Sequence, residues 1–359
     1  MDRLTKFRDE MKKNGIDAMV IYNLEGSDQP STWYISGFSG THSLVFISQE
    51  NAYISTDSRY FTQVKEQSSF TMFPITSDKR VKDILKFFIE KEEAKILGYN
   101  ASNISVKLYN SLFGDLDIEE IKDCESIIQN MRMIKDSEEI KNMEKAIKIS
   151  EDALQETLNH IKPGKSETEV CARLEYEMKM RGGELAFPTI AVSGARSALC
   201  HGKPSNKKVK EGEFLLFDFG ARYNGYCADI TRTFSVGTPS DEMVKIYDIV
   251  YEAQVKSVQA AKAGVIGADL HNVAWEIISD AGYGDYFGHG LGHSLGMDTH
   301  DGAGASPSNK KEIPEGAVIT IEPGIYLPEK FGVRIEDDVL FLKNKNKVLT
   351  NFDKKLMII

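Results

Sequence analysis

The chain has 359 residues, of which 41% are hydrophobic and 27% charged, a composition typical of folded globular domains and not of disordered, collagen-like or coiled-coil chains. Its 44 Lys and Arg against 54 Asp and Glu give a net charge of −10, which disfavours nucleic acid or an anionic membrane as the main partner. No run approaches the roughly 18 apolar residues of a membrane span, no export signal is visible, and the four cysteines lack a C-x-x-C spacing, so we expect a cytoplasmic protein with reduced thiols.

Residues 1–125 alternate short β-rich runs with helical patterns, which predicts an α/β N-terminal domain. Helices are expected over 3–14 and 81–92. The expected strands are 17–22, 43–48, 51–56 and 95–98.

Residues 126–359 interleave longer helical patterns with glycine-rich β segments, which predicts an α+β second domain. Asp136 and Glu139 are placed as a capping box in front of apolar residues spaced three or four apart, so a long helix should begin there. Ser166 and Glu169 form a second capping box at the start of the next helix. The helices are expected over 135–160, 166–182, 240–262 and 268–281.

Two carboxylates lie on apolar, strand-like runs that flank a turn signal. Asp218 interrupts the first run and Asp229 the second, with Asn224-Gly225 between them. A turn centred on 223/224 makes the two aspartates face each other, and one centred on Asn224-Gly225 makes them diagonal neighbours on one face. Either register brings two anions together, which requires a cation or a retained proton.

A second pair of carboxylates is also placed symmetrically about a connection between two strand-like runs. Glu322 and Glu336 lie on two strand-like runs, 318–326 and 332–340, and are equidistant from the middle of the connection 327–331. They are therefore expected to face each other across a hairpin.

Three of the seven histidines, His289, His293 and His300, fall within fourteen residues rich in glycine, which lets the backbone approach a ligand closely. One imidazole among four carboxylates is a hard, oxygen-rich set that suits Mn²⁺, Co²⁺, Fe²⁺ or Zn²⁺. Four carboxylates suit two ions, roughly 3.5–4 Å apart, better than one.

The run His289-Gly-Leu-Gly-His293-x-Leu-Gly-x-x-x-His300-Asp301, together with the carboxylate pairs in that chain order, resembles the methionine aminopeptidase and prolidase superfamily, whose catalytic domain has the pita-bread fold. The resemblance covers residues 126–355 and implies two divalent ions, with Mn²⁺ expected first. The implied metal ligands are Asp218, Asp229, His293, Glu322 and Glu336.

Two softer motifs, 34–40 and 55–61, are similar to the N-terminal domain of Xaa-Pro aminopeptidases and prolidases. This resemblance implies an aminopeptidase that releases the N-terminal residue from peptides with proline in second position, acting as a homodimer. The alternatives are an Xaa-Pro dipeptidase, a methionine aminopeptidase, and a non-catalytic binding member of the fold.

Further roles are expected for residues around the ligands. Glu322 would carry a proton from water to the leaving nitrogen, the role that the resemblance implies for this glutamate. His201 and His300 would donate hydrogen bonds to the substrate carbonyl and the tetrahedral oxyanion, and His289 would line the substrate pocket. Arg334, two residues before a predicted ligand on the same strand face, would orient that carboxylate beside the substrate.

Overall fold

The computed structural model describes residues 2–359, which divide into two compact units after residue 132. The helix Glu125–Met133 lies almost entirely in the first unit, whereas the sequence boundary at 125 placed it in the second. Two hydrogen bonds tie it there: the Tyr34 hydroxyl donates to the carbonyl of Met131, and Arg132 donates to the hydroxyl of Ser31. In the part of the chain that is described, no helix is both long and apolar enough to cross a membrane.

The first unit has the expected α/β architecture, with a core between a six-stranded sheet and its helices. Its strands are β1 Ala18–Leu24, β2 His42–Ser48, β3 Ala52–Thr56, β4 Thr71–Pro74, β5 Ile96–Tyr99 and β6 Glu120–Asp123. Its helices are α1 Arg3–Lys13, α2 Gln29–Ser36, α3 Phe61–Gln67, α4 Val81–Lys91, α5 Val106–Phe113 and α6 Glu125–Met133.

The strands of this mixed sheet follow the order β4-β3-β2-β1-β5-β6. The β1–β2 pair is antiparallel, whereas β5 pairs in parallel with both β1 and β6. Phe88 of α4 stacks on Tyr53 of β3 with ring centroids 4.6 Å apart and packs on Phe46 of β2 at 5.4 Å. Such pairs contribute about 0.5–1.5 kcal/mol beyond area burial, so these rings fix α4 on the sheet.

The structure contains a helix, α2, at the motif 34–40, where the sequence predicted none. α2 ends at Gly37, whose φ of +79° is the left-handed conformation that glycine adopts without strain. Its residues include Trp33 and Ile35, which have low helix propensity because aromatic and β-branched side chains lose χ1 freedom. Burial of most of its residues outweighs that preference.

The second unit has the expected α+β architecture. Its helices are α7 Ser137–Leu158, α8 Glu167–Met180, α9 Asp241–Ala260 and α10 Gly267–Asp280. Its strands are β7 Glu184–Leu185, β8 Ile190–Ser193, β9 Glu213–Phe219, β10 Ala221–Tyr223, β11 Tyr226–Cys227, β12 Ile230–Val236, β13 Val318–Ile321, β14 Gly324–Leu327, β15 Phe331–Arg334, β16 Asp337–Phe341 and β17 Asn346–Val348.

Both capping boxes read from the sequence are present. Asp136 accepts from the backbone N–H groups of Glu138 and Glu139, and the Glu139 side chain accepts from the N–H of Asp136. Ser166 and Glu169 make the reciprocal pair at the start of α8. An N-cap contributes about 1 kcal/mol, which explains why local sequence locates these two helix starts.

Small antiparallel sheets surround the core of the second unit. β9 lies between β8 and β12, and β16 lies between β13 and β17. Phe214 of β9 packs edge-on against Phe331 of β15 at 5.3 Å and against Tyr247 of α9 at 6.2 Å between ring centroids. This apolar layer holds the strands that carry the carboxylates.

In the first unit, the motif 55–61 forms an ion-paired turn where β2 begins and β3 ends. Asp57 accepts from the Arg59 side chain at 2.9 and 2.8 Å and from His42 Nδ1 at 2.7 Å. These partners, Arg59 first, hold the pKa of Asp57 well below its usual range.

We expect Asp57→Asn to destabilise the first unit by about 1–2 kcal/mol at pH 7, because an amide has no charge and only one acceptor oxygen for these donors. The pKa of Asp57 is lowered in the folded chain, so its contribution is complete above the unfolded value of 3.8 and is lost as the pH falls below it. Urea unfolding followed by Trp33 fluorescence, in a Trp275→Phe background, measures this unit alone because each unit holds one of the two tryptophans. The deficit should be equal at pH 7 and 5 and smaller at pH 3; a constant deficit would contradict an ionic origin.

Candidate metal centre

The first carboxylate hairpin turns at Asn224-Gly225. Both residues have positive φ, 47° and 83°, as a two-residue type I′ turn requires. The resulting register pairs Asp218 with Thr231, so Asp229 is the diagonal neighbour of Asp218 on the same face. This is the second of the two registers that the sequence left open, and the directly opposed register is wrong.

The second carboxylate hairpin keeps its register across an interruption. β13 pairs with β16 up to Ile321 opposite Asp337, and β14 pairs with β15 in the same register. Glu322 therefore stands opposite Glu336, as expected, in the gap between the two ladders. Pro323, which follows Glu322, has no N–H for a ladder bond, which accounts for the division of each predicted strand into two.

A glycine-rich segment brings a histidine to these carboxylates. His293 donates its backbone N–H to Thr320 Oγ1 at 3.0 Å and accepts from the N–H of Thr320 at 2.9 Å, so it lies along β13. Gly292 permits this approach, because a Cβ there would lie 1.7 Å from the carbonyl oxygen of Thr320. Nδ1 of His293 faces the carbonyl of Ser294 at 3.3 Å, which leaves Nε2 as the nitrogen with a lone pair.

Asp229, His293 and Glu336 meet at the centre, with one potential ligand atom of each lying within 4.8 Å of the others. Nε2 of His293 lies 3.5 Å from Asp229 Oδ2 and 3.5 Å from Glu322 Oε1. Asp229 and Glu336 are only 4% and 1% exposed, whereas the side chains of Glu322 and His293 are 16% and 19% exposed. Solvent therefore reaches the centre on the side of Glu322 and His293.

Arg334 connects two of the carboxylates from behind. It donates to Asp218 Oδ2 at 2.5 Å and to Thr231 Oγ1 at 3.1 Å, and the Thr231 hydroxyl donates to Glu336 Oε2 at 2.6 Å. The expected direct orientation of Glu336 by Arg334 is therefore corrected: Arg334 contacts Asp218 and reaches Glu336 through Thr231. Its 4% exposure places it beneath the centre and not in an open pocket.

Burial and mutual repulsion raise the pKa values of the clustered carboxylates. Burial is the largest cause in each case, raising the pKa of Glu322 to about 8 and those of Asp229 and Glu336 well above their usual ranges. Burial also lowers the pKa of His293 to about 4, so its imidazole is neutral at pH 7. The cluster is thus short of positive charge.

These residues fit a divalent metal ion. Carboxylate oxygens and a neutral imidazole are ligands for such ions, and a cation removes the repulsion that otherwise favours protonation. Oδ1 of Asp218 is buried without a hydrogen-bond partner among residues 2–359. Nε2 of His293 and oxygens of Asp229 and Glu322 converge on one point, each oxygen 3.5 Å from the nitrogen, and a bound cation accounts for both observations.

The two histidines expected to donate to the substrate are both exposed. His300 is exposed and sets its ring edge-on against that of His293, with centroids 4.2 Å apart. His201 is exposed in the loop between β8 and β9, near enough to His289 for its charge to contribute to the lowered pKa of that histidine.

His289 is hydrogen bonded through both ring nitrogens. Nδ1 donates to the carbonyl of Gly290 at 2.7 Å, so Nε2 accepts from the Tyr326 hydroxyl at 2.9 Å. That hydroxyl in turn accepts from Arg334 Nη1 at 2.9 Å. Burial lowers the pKa of His289 to about 4, and the neutral ring thus ends a hydrogen-bonded chain that supports Arg334, a contact the sequence did not indicate.

Sequence reasoning missed three polar side chains around the centre, those of Thr231, Tyr326 and Asp338. Asp338 is fully buried and accepts from the backbone N–H of Asp229 at 3.2 Å. Thr231 had a usable signal, because it follows Asp229 by two residues and so shares its strand face. Tyr326 and Asp338 had none, since their contacts depend on the register between strands.

Comparisons with known proteins point to one family. Residues 141–342 match Metallopeptidase family M24, and residues 3–134 match the Creatinase/Prolidase N-terminal domain. The chain is 39% identical over 358 residues to a protein from Pyrococcus horikoshii named Xaa-Pro dipeptidase, covering 99% of each.

Solved structures agree over the full length. The X-Pro aminopeptidase from Thermotoga maritima MSB8 matches with a TM-score of 0.92 and 41% identity, covering 100% of both chains. An Xaa-Pro dipeptidase from Bacillus anthracis matches with a TM-score of 0.93 and 35% identity, covering 99% of both chains.

Proposed function

Because this chain belongs to metallopeptidase family M24, we propose that it hydrolyses the bond between an N-terminal residue and a following proline, and that its substrates are Xaa-Pro dipeptides. The chain consists of a creatinase-type N-terminal domain and a pita-bread catalytic domain. The observation that carries the proposal is the cluster of Asp229, His293 and Glu336 within a chain similar throughout its length to named Xaa-Pro dipeptidases.

A divalent metal centre is implied by the family and fits the donor set. The side chains that would hold two ions, with Mn²⁺ proposed first, are Asp218, Asp229, His293, Glu322 and Glu336. When bound, such ions lower the pKa of water and polarise the scissile carbonyl. The alternative ions Co²⁺, Zn²⁺ and Fe²⁺ suit the same ligands.

Glu322 is the carboxylate best placed to move a proton. Its side chain is 16% exposed, against 1% for Glu336, and its Oε1 lies 3.5 Å from His293 Nε2. Asp218 is about as exposed, at 15%, but is held in an ion pair with Arg334. It can therefore take a proton from the attacking water and deliver it to the proline nitrogen, which must be protonated to leave.

The exposed histidines complete the site. His201 and His300 would donate to the substrate carbonyl and to the oxyanion that forms from it, so that negative charge is stabilised where it develops. Arg334 donates to Asp218 and so holds that carboxylate in place. Because Arg334 is buried, this role requires no contact with the substrate. We also propose that the protein is cytoplasmic and forms a homodimer.

A second candidate, an Xaa-Pro aminopeptidase that accepts longer peptides, is favoured by the 41% identity to the Thermotoga maritima structure of that name. The two functions differ in whether a third residue is tolerated after proline.

A peptide panel decides between the two functions. With added Mn²⁺, we expect Ala-Pro to be cleaved with a kcat/KM at least about tenfold above that of Ala-Pro-Ala, since a site that encloses the free carboxylate of a dipeptide leaves its donors unpaired with a longer chain. Ala-Ala is the control for proline, which has no N–H and a fixed φ that a site can select by shape. Faster cleavage of Ala-Pro-Ala would establish the aminopeptidase, and equal rates for Ala-Pro and Ala-Ala would contradict both functions.

A further inference from the structure

One buried carboxylate outside the metal centre closes the loop that carries His201. Glu167, in the first turn of α8, is fully buried. Its Oε1 accepts from the N–H and hydroxyl of Ser193 at 2.8 and 3.1 Å, and its Oε2 accepts from the N–H and hydroxyl of Ser205 at 3.1 and 2.7 Å. The two oxygens of one side chain therefore hold the two ends of residues 194–204, here named the His201 loop.

A cation inside the His201 loop braces it further. Arg196 donates Nε to Glu167 Oε2 at 3.0 Å and Nη2 to the carbonyl of Lys203 at 2.6 Å. The brace runs from the start of the loop to its end. It also supplies the positive charge without which a fully buried carboxylate is strongly unfavourable.

The His201 loop is fixed on its inner side as well, where it meets the strand that supports the metal centre. The Ser197 hydroxyl accepts from the N–H of Gly332 in β15 at 2.8 Å. Arg334, also in β15, donates to the carbonyl of Cys200 at 3.4 Å. These contacts hold the backbone before the exposed His201 side chain, and the bond from Arg196 to the carbonyl of Lys203 holds the backbone after it.

We propose that Glu167 is a positioning residue for His201. The inference rests on the proposed function, in which His201 donates to the substrate carbonyl. An exposed imidazole takes its position from the backbone beneath it, and a transition-state donor must be held within about 0.5 Å of its productive place. Glu167 supplies this by closing the loop at both ends, so its loss should lower kcat more than it raises KM.

Glu167→Gln is the variant that tests the clamp, by which we mean the four hydrogen bonds that Glu167 accepts at the two ends of the His201 loop. The amide preserves the volume but has one acceptor oxygen, so it can accept the backbone N–H of Ser193 or of Ser205 but not both, and its NH₂ group then opposes the other N–H donor. We expect backbone hydrogen exchange within 194–204 to quicken by about tenfold or more. We expect kcat for Ala-Pro to fall by about 10- to 100-fold with KM within about threefold, as a displacement of about 1 Å would cause.

The matched control is Glu169→Gln, two residues along the same helix. The Glu169 carboxylate accepts from the N–H of Ser166 and pairs with Lys165 and Lys208, so it caps α8 without contacting the His201 loop. This variant should leave loop exchange and kcat unchanged.

A double-mutant cycle with His201→Ala separates positioning from general destabilisation. In that background Glu167→Gln should lower kcat by less than about twofold further, because the positioned donor is absent. Equal losses in both backgrounds, or unchanged exchange in the His201 loop, would overturn the inference.

Arg196→Lys keeps the inference testable if Glu167→Gln does not fold. Lysine retains the charge beside Glu167 and the four hydrogen bonds from the serines, but without the guanidinium fork it cannot bond both Glu167 and the carbonyl of Lys203 in the same way. A smaller change of the same kind is expected, and unchanged exchange in the His201 loop would overturn the inference. A parent enzyme that does not cleave Ala-Pro would instead overturn the proposed function, and hydrogen exchange would still test the clamp.

Discussion

Asp229→Asn should abolish metal retention and turnover together while the chain stays folded. Asp229 Oδ2 lies 3.5 Å from His293 Nε2 in the buried cluster that includes Glu336. The amide keeps the volume but removes one of the charges that attract the cation. We expect kcat to fall by at least about 10³-fold, equivalent to the several kcal/mol that metal ions contribute to such reactions.

Elemental analysis after dialysis, paired with kcat on Ala-Pro, measures both effects. Glu242→Gln is the matched control, because Glu242 is an exposed carboxylate of the same unit, paired with Lys330 at 2.7 Å. This control should retain metal and activity. An Asp229→Asn protein that is free of metal and fully active would show that the cluster is not the catalytic centre.

Thermal unfolding distinguishes loss of metal from loss of fold. In EDTA, Asp229→Asn should unfold at the same temperature as the parent or higher, because burial and the charge of Glu336 disfavour an ionised Asp229. With Mn²⁺ added, the parent should become the more stable protein, since an ion that binds only the folded state stabilises it. A variant that is less stable in EDTA would mean that Asp229 has a structural role beyond binding the ion.

Local sequence signals were sufficient for much of the framework that carries this site. The capping boxes at Asp136 and Ser166 located two helix starts, because each box is made by residues three apart. The Asn224-Gly225 turn identified the first hairpin for the same reason. Alternation along a strand has period two, so Asp218 and Asp229 shared a face in both registers considered, although only one is present.

The contacts that tune the site could not be read from the sequence, because they join residues far apart in the chain. Arg334 and Asp218 are 116 residues apart, and their pairing follows from the way β15 lies beside β9. A strong local signal pointed elsewhere: Arg334 and Glu336 lie on one predicted strand, which suggested that these two residues pair. Which carboxylate a guanidinium pairs with depends on their distance in space, and that distance is known only from the fold.

Glu167 illustrates the same limit more sharply. In the sequence it stands beside Ser166 and Glu169, whose capping roles are evident, and it has no distinguishing pattern of its own. Its partners Ser193 and Ser205 lie 26 and 38 residues away. Its role became visible only when the structure showed that one oxygen accepts hydrogen bonds from Ser193 and the other from Ser205.

Replacing His201 or His300 with alanine should lower kcat by about 10²–10³-fold while metal content stays unchanged, the usual consequence of removing one donor to a developing oxyanion. Both side chains are exposed, that of His300 against the ring of His293, and the ligand nitrogen proposed for this site belongs to His293. Their loss should therefore affect the transition state and leave the ion in place.

The controls decide whether these histidines act as donors, as ligands or merely as packing. His160→Ala removes an exposed histidine at the end of α7 that bonds the carbonyl of Glu156, and it should leave kcat unchanged. His201→Gln should recover part of the activity lost in His201→Ala, because an amide N–H can still donate. If His300→Ala loses stoichiometric metal, the edge-on contact between His300 and His293 is needed to hold the ligand, and His300 supports the metal centre instead of stabilising the oxyanion.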